Sequence, residues 1–163
     1  GRERTASRRR LARALGSARY FALLDRFGAP AAPPPADPSP DLTVAAIWRA
    51  EHSTLKKAVT RLGEPPGDDD LHAARIKVKR ARYAAELARL EPYVRAAKAL
   101  QDVLGEHQDS LVAEARLRIV AAGRPETAIA AGRLVEREHE RRASAAEAWK
   151  KQWTRLAREA KRV

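Results

Sequence analysis

Apolar residues along this chain recur every three or four positions, which places them on one face of an α-helix. The last predicted helix, which starts at Pro125, carries Trp149, Trp153 and Leu156 on one such face. The third predicted helix, residues 41–62, has a longer apolar face: Val44, Trp48, Leu55, Val59 and Leu62. No segment shows the strict alternation of apolar and polar residues that is typical of an amphipathic strand. The sequence therefore predicts an all-α fold, an antiparallel bundle of long helices.

Residues that cap or break helices divide the chain into three segments. Two helices are predicted at the start, residues 2–15 and residues 17–28, the second capped by Ser17, and a glycine ends each of them. Residues 29–40 hold most of the prolines and are predicted to form an extended connector. Residues 41–163 are predicted to form a four-helix bundle.

Two turns separate the central helices of the predicted bundle. The turn GEPPGDDD, residues 63–70, ends the third helix, and its aspartates are expected to cap the helix that begins at Leu71. Pro92, at a tolerated first-turn position, opens a fifth helix that runs to Gly123. A bend is expected within this fifth helix at Gly105.

The charge of the chain limits its partners. Lys and Arg number 33 against 21 Asp and Glu, which gives a net charge of +12. Such a charge favours polyanions as partners: nucleic acid, anionic lipid or free polyphosphate. The absence of cysteine excludes disulfides, thiolate metal sites and cysteine nucleophiles. No apolar run approaches the roughly 20 residues of a membrane span, so we expect a soluble, cytoplasmic protein without a membrane partner.

The helix that begins at Leu71 is strongly basic. Residues 71–83, LHAARIKVKRARY, contain five lysines and arginines, one histidine and no acid. At about 100° per residue, four of them form one line along the helix, here called the basic stripe: His72, Arg75, Lys79 and Arg82. Apolar residues flank this stripe on both sides: Leu71, Ala74, Val78, Ala81 and Ala85 form the first flank, and Ile76, Tyr83, Leu87 and Leu90 the second. The pattern predicts a helix packed between two neighbours, with the basic stripe lining the gap.

The basic stripe should attract an anion. Like charges three or four residues apart repel by roughly 0.2–0.5 kcal/mol per pair on an exposed helix. Glu86 lies at one end of the stripe and can relieve only Arg82 and Lys79. A bound anion would relieve the remaining repulsion. The alternative interpretation is a solvated basic face whose long side chains extend over the core.

The segment LQDVLGEHQD, residues 100–109, carries paired polar residues. Asp102 and Asp109 lie seven residues apart and share a face, and we expect them to orient the arginines of the basic helix through ion pairs. A catalytic carboxylate pair is the less favoured alternative, because no nucleophile, metal cluster or glycine-rich phosphate loop accompanies it. His107 falls on the apolar face of this helix and is interpreted as a core histidine. The four histidines show no HxxH or HxxxH spacing, so neither a metal nor another cofactor is predicted.

Three segments together resemble one known family. HAARIKVKRARY, residues 72–83, and ALQDVLGEHQD, residues 99–109, resemble the second half of a CHAD domain, an all-helical domain named for its histidines. SARYFALLDRF, residues 17–27, followed by the proline-rich connector, is similar to the middle of that domain. The resemblance implies that residues 1–28 are the tail helices of a first half and that residues 41–163 are the second half.

The resemblance to CHAD domains implies binding of inorganic polyphosphate, or another phosphate-rich anion, in a basic groove between the two halves. It implies no catalytic activity. Carried over by position, His72, Arg75, Lys79 and Arg82 would face the ligand. Further candidate contacts are the hydroxyl of Tyr83 and the cations of Lys77, Arg80, Arg8, Arg19 and Lys56. Association with polyphosphate or storage granules is a related expectation.

A nucleic-acid-binding protein and a granule-associated helical scaffold remain the alternative functions. The net charge of +12 suits nucleic acid. However, no helix-turn-helix, RNP-like or zinc-finger pattern is present. Three Trp, three Tyr and two Phe offer few platforms for stacking bases, and most fall on predicted core faces.

Only one basic helix of the expected pair is present in the sequence. The first predicted helix, RERTASRRRLARAL, starts without a cap or an initiator methionine, and its apolar residues Leu11, Ala14 and Leu15 need a neighbour. We therefore expect the chain to be part of a longer domain. Its companion is expected to be the missing N-terminal half or a second copy of this chain.

Overall fold

The computed structural model describes residues 2–28 and 43–163. The helices in this part of the chain are α1 (Arg2–Leu15), α2 (Ala18–Gly28), α3 (Val44–Thr60), α4 (Asp68–Leu87), α5 (Glu91–Gly123) and α6 (Ala128–Ala160), with a short 3-10 helix at Pro125–Thr127. No strand occurs among these residues, so the predicted all-α fold is confirmed. The predicted connector, residues 29–40, lies outside the described residues.

Helices α1 and α2 belong to the first of two compact units, Gly1–Ser39. Ser17 joins them as predicted, since its hydroxyl donates to the Ala14 carbonyl at 2.7 Å and accepts from the Tyr20 N–H at 3.2 Å. Neither helix buries a residue. The leucines and phenylalanines of residues 2–28 are exposed: Leu11, Leu15, Phe21, Leu23, Leu24 and Phe27.

The second unit, Pro40–Val163, is an antiparallel four-helix bundle of α3, α4, α5 and α6. Short loops join consecutive helices, and each packs against the next in the chain. The core combines large residues from all four helices: Trp48 and Leu55, Leu71 and Val78, Tyr93, Leu100 and Leu104, and Trp149 and Leu156. The apolar faces predicted for the third and last helices therefore contribute to this core, with Val59, Leu62 and Trp153 at its edge. Val44, also predicted on the face of the third helix, is 43% exposed, so the prediction is wrong for that residue.

Two helix starts differ from the prediction. Helix α3 begins at Val44 because Thr43 caps it, its hydroxyl accepting the Ala46 N–H at 3.1 Å. Helix α4 begins at Asp68, and its N-terminal neighbour Gly67 provides no side-chain cap. The three aspartates before Leu71 thus lie inside the first turn rather than before it. There their negative charges favour the positive end of the helix dipole.

Helix α5 has 33 residues and is about 50 Å long at 1.5 Å per residue. It continues without interruption through Gly105 and buries no residue after Ser110.

Ion pairs join the C-terminal part of α5 to α6. Glu114 accepts hydrogen bonds from His139 at 3.0 Å, from Arg118 at 2.8 Å and from Arg142 at 2.8 Å. In that order these bonds lower the pKa of Glu114 from 4.5 to about 2.

None of the described helices combines the length and the apolar character that crossing a membrane requires.

Candidate functional site

The first apolar flank of the basic stripe sets the orientation of α4 in the bundle. All five of its residues are buried: Leu71, Ala74, Val78, Ala81 and Ala85. This part of the prediction is confirmed, and it follows from the helical period of the sequence. The basic stripe runs along one edge of this buried face.

The second flank does not pack as expected. Ile76, Tyr83 and Leu87 are 48%, 46% and 71% exposed, and only Leu90 packs partly against the core. Among the described residues, the prediction that α4 is covered on both flanks is therefore wrong. Periodicity identifies apolar positions, but it does not show whether the segment that would cover them is part of the chain.

Arg75 crosses over α5 at a glycine. A Cβ atom added to Gly105 would lie 3.6 Å from Nε and 3.8 Å from Nη2 of Arg75. The guanidinium therefore occupies the space that a side chain at Gly105 would begin to fill. The Nε atom of Arg75 is buried and has no hydrogen-bond partner among the described groups. Arg75 thus retains hydrogen-bonding capacity that the described part of the chain does not use.

Arg82 is held by three side chains. Its Nε donates to Oε1 of Gln101 at 3.0 Å, and its Nη1 donates to Glu86. Its guanidinium carbon lies 4.6 Å from the centroid of the Tyr83 ring, and Nζ of Lys79 lies 5.8 Å from the same ring. Both distances fall within the range of cation–π interactions. Tyr83 therefore gathers two cations of the basic stripe around one exposed ring.

Gln101 replaces the predicted acids as the residue of α5 that orients an arginine. Asp102 and Asp109 are exposed, and neither belongs to an ion pair described for residues 43–163. The expected ion pairs between these aspartates and the arginines of α4 are therefore absent from the described structure. Asp102 follows Gln101 by one residue, a rotation of about 100° that turns it away from α4. Only the packing of the two helices shows which of these neighbouring positions faces Arg82.

Within residues 43–163, the other predicted cations Lys56, Lys77 and Arg80 are not part of the basic stripe. Arg80 pairs with Glu51 of α3 at 2.6 Å, on the far side of α4, and Lys77 is half-buried. Arg8 and Arg19 are exposed in the first unit. Lys56 lines a groove between α3 and α6 that contains none of the stripe residues.

The structure thus brings Arg75, Lys79, Arg82 and Tyr83 together on one face of α4. His72 is exposed near the start of the same face. Of the acids near this face, Glu86 alone is paired with a stripe residue among the described ion pairs. The arrangement presents hydrogen-bond donors and positive charge, which suit an anion.

His107 is buried, as predicted for a core histidine. Its Nε2 lies 3.2 Å from Oδ1 of Asp68 and so links α5 to the first turn of α4. Burial lowers the pKa of His107, and Asp68 opposes this effect in part. Residues 2–28 and 43–163 contain no group of three or more histidines and acids that could hold a metal ion.

Comparison with known proteins agrees with the motifs of α4 and α5. Residues 1–118 match the family described as CHAD domain. Two relatives from Mycobacterium tuberculosis, the uncharacterized proteins MT2285 (strain CDC 1551 / Oshkosh) and Rv2226 (strain ATCC 25618 / H37Rv), are each 35% identical over 111 residues. The match covers 64% of this chain but only 22% of either relative. No solved structure matches the chain.

The match to the CHAD family covers the N-terminal 118 residues of the chain. It includes α1 to α4 and most of α5, and it ends before α6. Helix α6 nevertheless supplies Trp149 and Leu156 to the core. Because the match spans well over half of the chain and includes the basic helix, the chain belongs to the family of CHAD domains.

Proposed function

We propose that the chain binds inorganic polyphosphate, or another phosphate-rich anion, along the basic stripe of α4 and does not transform it. The observation that carries the proposal is the placement of Arg75, Lys79 and Arg82 on one face of α4, with Arg75 lying over Gly105 of α5 and Arg82 hydrogen-bonded to Gln101. The net charge of +12 supports the same conclusion, since it draws polyanions to the surface.

The geometry suits a flexible chain of phosphates. From Arg75 to Arg82 the helix rises by about 10 Å, so the three cations follow a line rather than surround one point. The arginines present planar donor groups that hold phosphate oxygens through paired hydrogen bonds, and Lys79 adds a point charge. Because Gln101 already restrains Arg82, binding orders fewer side chains than it would on a free helix.

The basic stripe suits polyphosphate better than nucleic acid. Proteins that bind single-stranded nucleic acid of any sequence usually stack its bases on aromatic rings. Trp48, Tyr93 and Trp149 are buried in the core, and the exposed ring of Tyr83 is next to two cations. Polyphosphate has no bases, so it needs no such platform.

We further propose that a second helical element covers the exposed flank of α4. Ile76 and Leu87 leave apolar surface beside the basic stripe, and a phosphate chain is neutralised best from two sides. The proposed companion is the missing N-terminal half or a second copy of this chain, and it would contribute cations opposite Arg75 and Lys79.

The proposed function is tested by competition. Labelled long-chain polyphosphate is bound to the protein and displaced with unlabelled polyphosphate or duplex DNA, at matched phosphate concentration and several salt concentrations. We expect polyphosphate to compete much more effectively than DNA. Equal competition by DNA would reject the proposal and favour a nucleic-acid-binding function. The related proposal of granule association is tested by imaging a fluorescent fusion in cells that store polyphosphate.

A further inference from the structure

A second basic surface lies between α3 and α6, away from the basic stripe. It is an open groove of about 550 Å³. Its polar and aromatic lining comes from Trp48, Arg49, His52, Ser53, Lys56 and Thr60 of α3 and from Trp153 and Lys161 at the end of α6. No aspartate or glutamate side chain of the described residues lines it. This surface, here called the α3–α6 groove, is therefore positively charged.

Aromatic rings form one wall of the α3–α6 groove. His52 stacks on Trp48, with ring centroids 5.7 Å apart, and on Trp153, with centroids 6.3 Å apart. Its Nδ1 lies 2.9 Å from the hydroxyl of Tyr93, which comes from α5. Three helices thus meet at one histidine, and this histidine is held in a fixed position.

His52 offers a donor rather than an acceptor to the groove. Burial lowers the pKa of His52, Lys56 lowers it further, and burial raises the pKa of Tyr93. Nδ1 of the neutral imidazole therefore accepts a hydrogen bond from the Tyr93 hydroxyl, and the imidazole keeps its own proton on Nε2. Trp48 is 3% exposed and lies against Tyr93, with ring centroids 5.2 Å apart, so it supports the wall of the groove and supplies no donor to a ligand.

The cations of the α3–α6 groove are not neutralised by neighbouring acids. Arg49, Lys56 and Lys161 form none of the ion pairs described for residues 43–163. Other cations near this end of the bundle do pair: Lys150 with Glu64, and Arg162 with Glu159. The groove therefore combines three positive charges with the Nε2–H donor of His52, and no aspartate or glutamate side chain of the described residues lines it.

From this arrangement we propose that the α3–α6 groove is a second anion site, which takes a short phosphate chain of the size of a triphosphate group. The site is separate from the basic stripe and does not depend on the function proposed for it. Its ligand touches fixed rings and cations from two helices, so a compact anion with several negative oxygens fits better than a single carboxylate. Inorganic triphosphate and the triphosphate of a nucleotide share this chemistry.

The proposal is tested by following the imidazole of His52 in an NMR pH titration, without and with inorganic triphosphate. A bound anion opposes the effect of Lys56 and stabilises the imidazolium, so we expect the pKa of His52 to rise by about half a unit or more. A second titration uses ATP. An equal response indicates recognition of the phosphate chain alone, and a stronger response to ATP indicates that the base also packs in the groove. Both results support the site, and no response to either compound overturns it.

Matched lysine variants distinguish this groove from a general effect of charge. We expect Lys56→Ala or Lys161→Ala to weaken triphosphate binding by about tenfold, the loss expected for one charge-assisted contact. Lys57→Ala removes the same charge from the next residue of α3, which does not line this groove, and should leave binding unchanged. For these variants the measurement is triphosphate affinity rather than the pKa of His52, because Lys56→Ala raises that pKa even without a ligand. Equal weakening by Lys57→Ala would reject the proposal.

A variant of the basic stripe separates the two proposals. Lys79→Ala should weaken binding of long-chain polyphosphate while leaving the response of His52 to triphosphate intact. If the response of His52 is also lost in Lys79→Ala, the α3–α6 groove is not an independent site and the proposal fails. If polyphosphate never binds the stripe but triphosphate still shifts His52, only the proposed function fails.

Discussion

Arg75 of α4 lies across Gly105 of α5, with its Nε 3.6 Å from the position where a Cβ atom of residue 105 would be. The contact places a charged side chain over the backbone of a neighbouring helix. A Cβ fits at this distance, but a longer side chain at residue 105 would extend into the space of the Arg75 guanidinium. The space beside Gly105 therefore accommodates the guanidinium of Arg75, one cation of the basic stripe.

This contact predicts different effects for two substitutions at one position. A Cβ at 3.6 Å is an ordinary van der Waals contact, so Gly105→Ala should stabilise the protein by about 0.5–1 kcal/mol and retain polyphosphate binding. Gly105→Leu should displace Arg75 and weaken binding about as much as Arg75→Ala does. Urea unfolding and calorimetric titration measure the two effects. Normal binding by a folded Gly105→Leu variant would show that the position of Arg75 is irrelevant to the ligand.

The hydrogen bond from Arg82 to Gln101 predicts a second contrast. Gln101→Ala frees the guanidinium of Arg82, and we expect polyphosphate affinity to fall by about two- to fivefold because binding must then order that side chain. Asp102→Asn, one residue further along α5, should change affinity by less than Gln101→Ala does. Calorimetric titration of both variants checks the order. The opposite order would restore the expectation that Asp102 supports the arginines.

The contacts of Arg75 with Gly105 and of Arg82 with Gln101 are not predictable from the sequence alone. Periodicity was sufficient to predict the helices and the buried first flank of α4, because both depend on residues close together in the chain. Gln101 and Gly105 could not be assigned to Arg82 and Arg75, because the rotation of α5 against α4 is set by tertiary packing. The α3–α6 groove depends on residues such as His52 and Trp153, which are far apart in the sequence. No local pattern predicts their stacking.

The basic stripe predicts a change in salt dependence. Lys79→Ala removes one phosphate contact and, by analogy with nucleic acids, should reduce the slope of log affinity against log salt by roughly one. Arg133→Ala serves as the control. It removes an exposed charge near the N-terminus of α6 and should leave the slope unchanged. The unfolding free energy of Lys79→Ala should change little, because Lys79 has no ion-pair partner among the described residues and its contact with the exposed Tyr83 ring is long, at 5.8 Å. If both variants show the original slope, the stripe is a solvated face.

The ion pairs of Glu114 predict a loss of stability in acid. The pKa of Glu114 is lowered from 4.5 to about 2 by His139, Arg118 and Arg142. A carboxyl group with a lowered pKa stabilises the folded state above its unfolded pKa, and the effect is lost as the pH falls from 4.5 towards 2. Glu114→Gln should therefore be less stable than the parent protein at pH 7, and the difference should shrink as the pH approaches 2.

Urea unfolding at several pH values measures this difference. Glu136→Gln is the matched control, because Glu136 is 73% exposed and lies 3.7 Å from His139. Its stability should differ little from that of the parent protein at any pH. A difference for Glu114→Gln that stays constant between pH 7 and pH 2 would contradict the assignment.

The exposed flank of α4 predicts that this chain associates with a companion. Leu87 is 71% exposed and Ile76 is 48% exposed, so Leu87→Asn and Ile76→Asn should leave the unfolding free energy of the isolated chain nearly unchanged. If a second copy covers the flank, light scattering should give a dimer mass that falls to the monomer mass in both variants. If the N-terminal half covers it, a longer protein containing that half should protect the backbone amides of α4 from hydrogen exchange, and the same substitutions should remove the protection. An intact-mass spectrum establishes which chain is in each sample. Monomeric behaviour together with unchanged exchange in the longer protein would contradict the proposal, because the apolar residues beside the basic stripe would then face solvent in both forms.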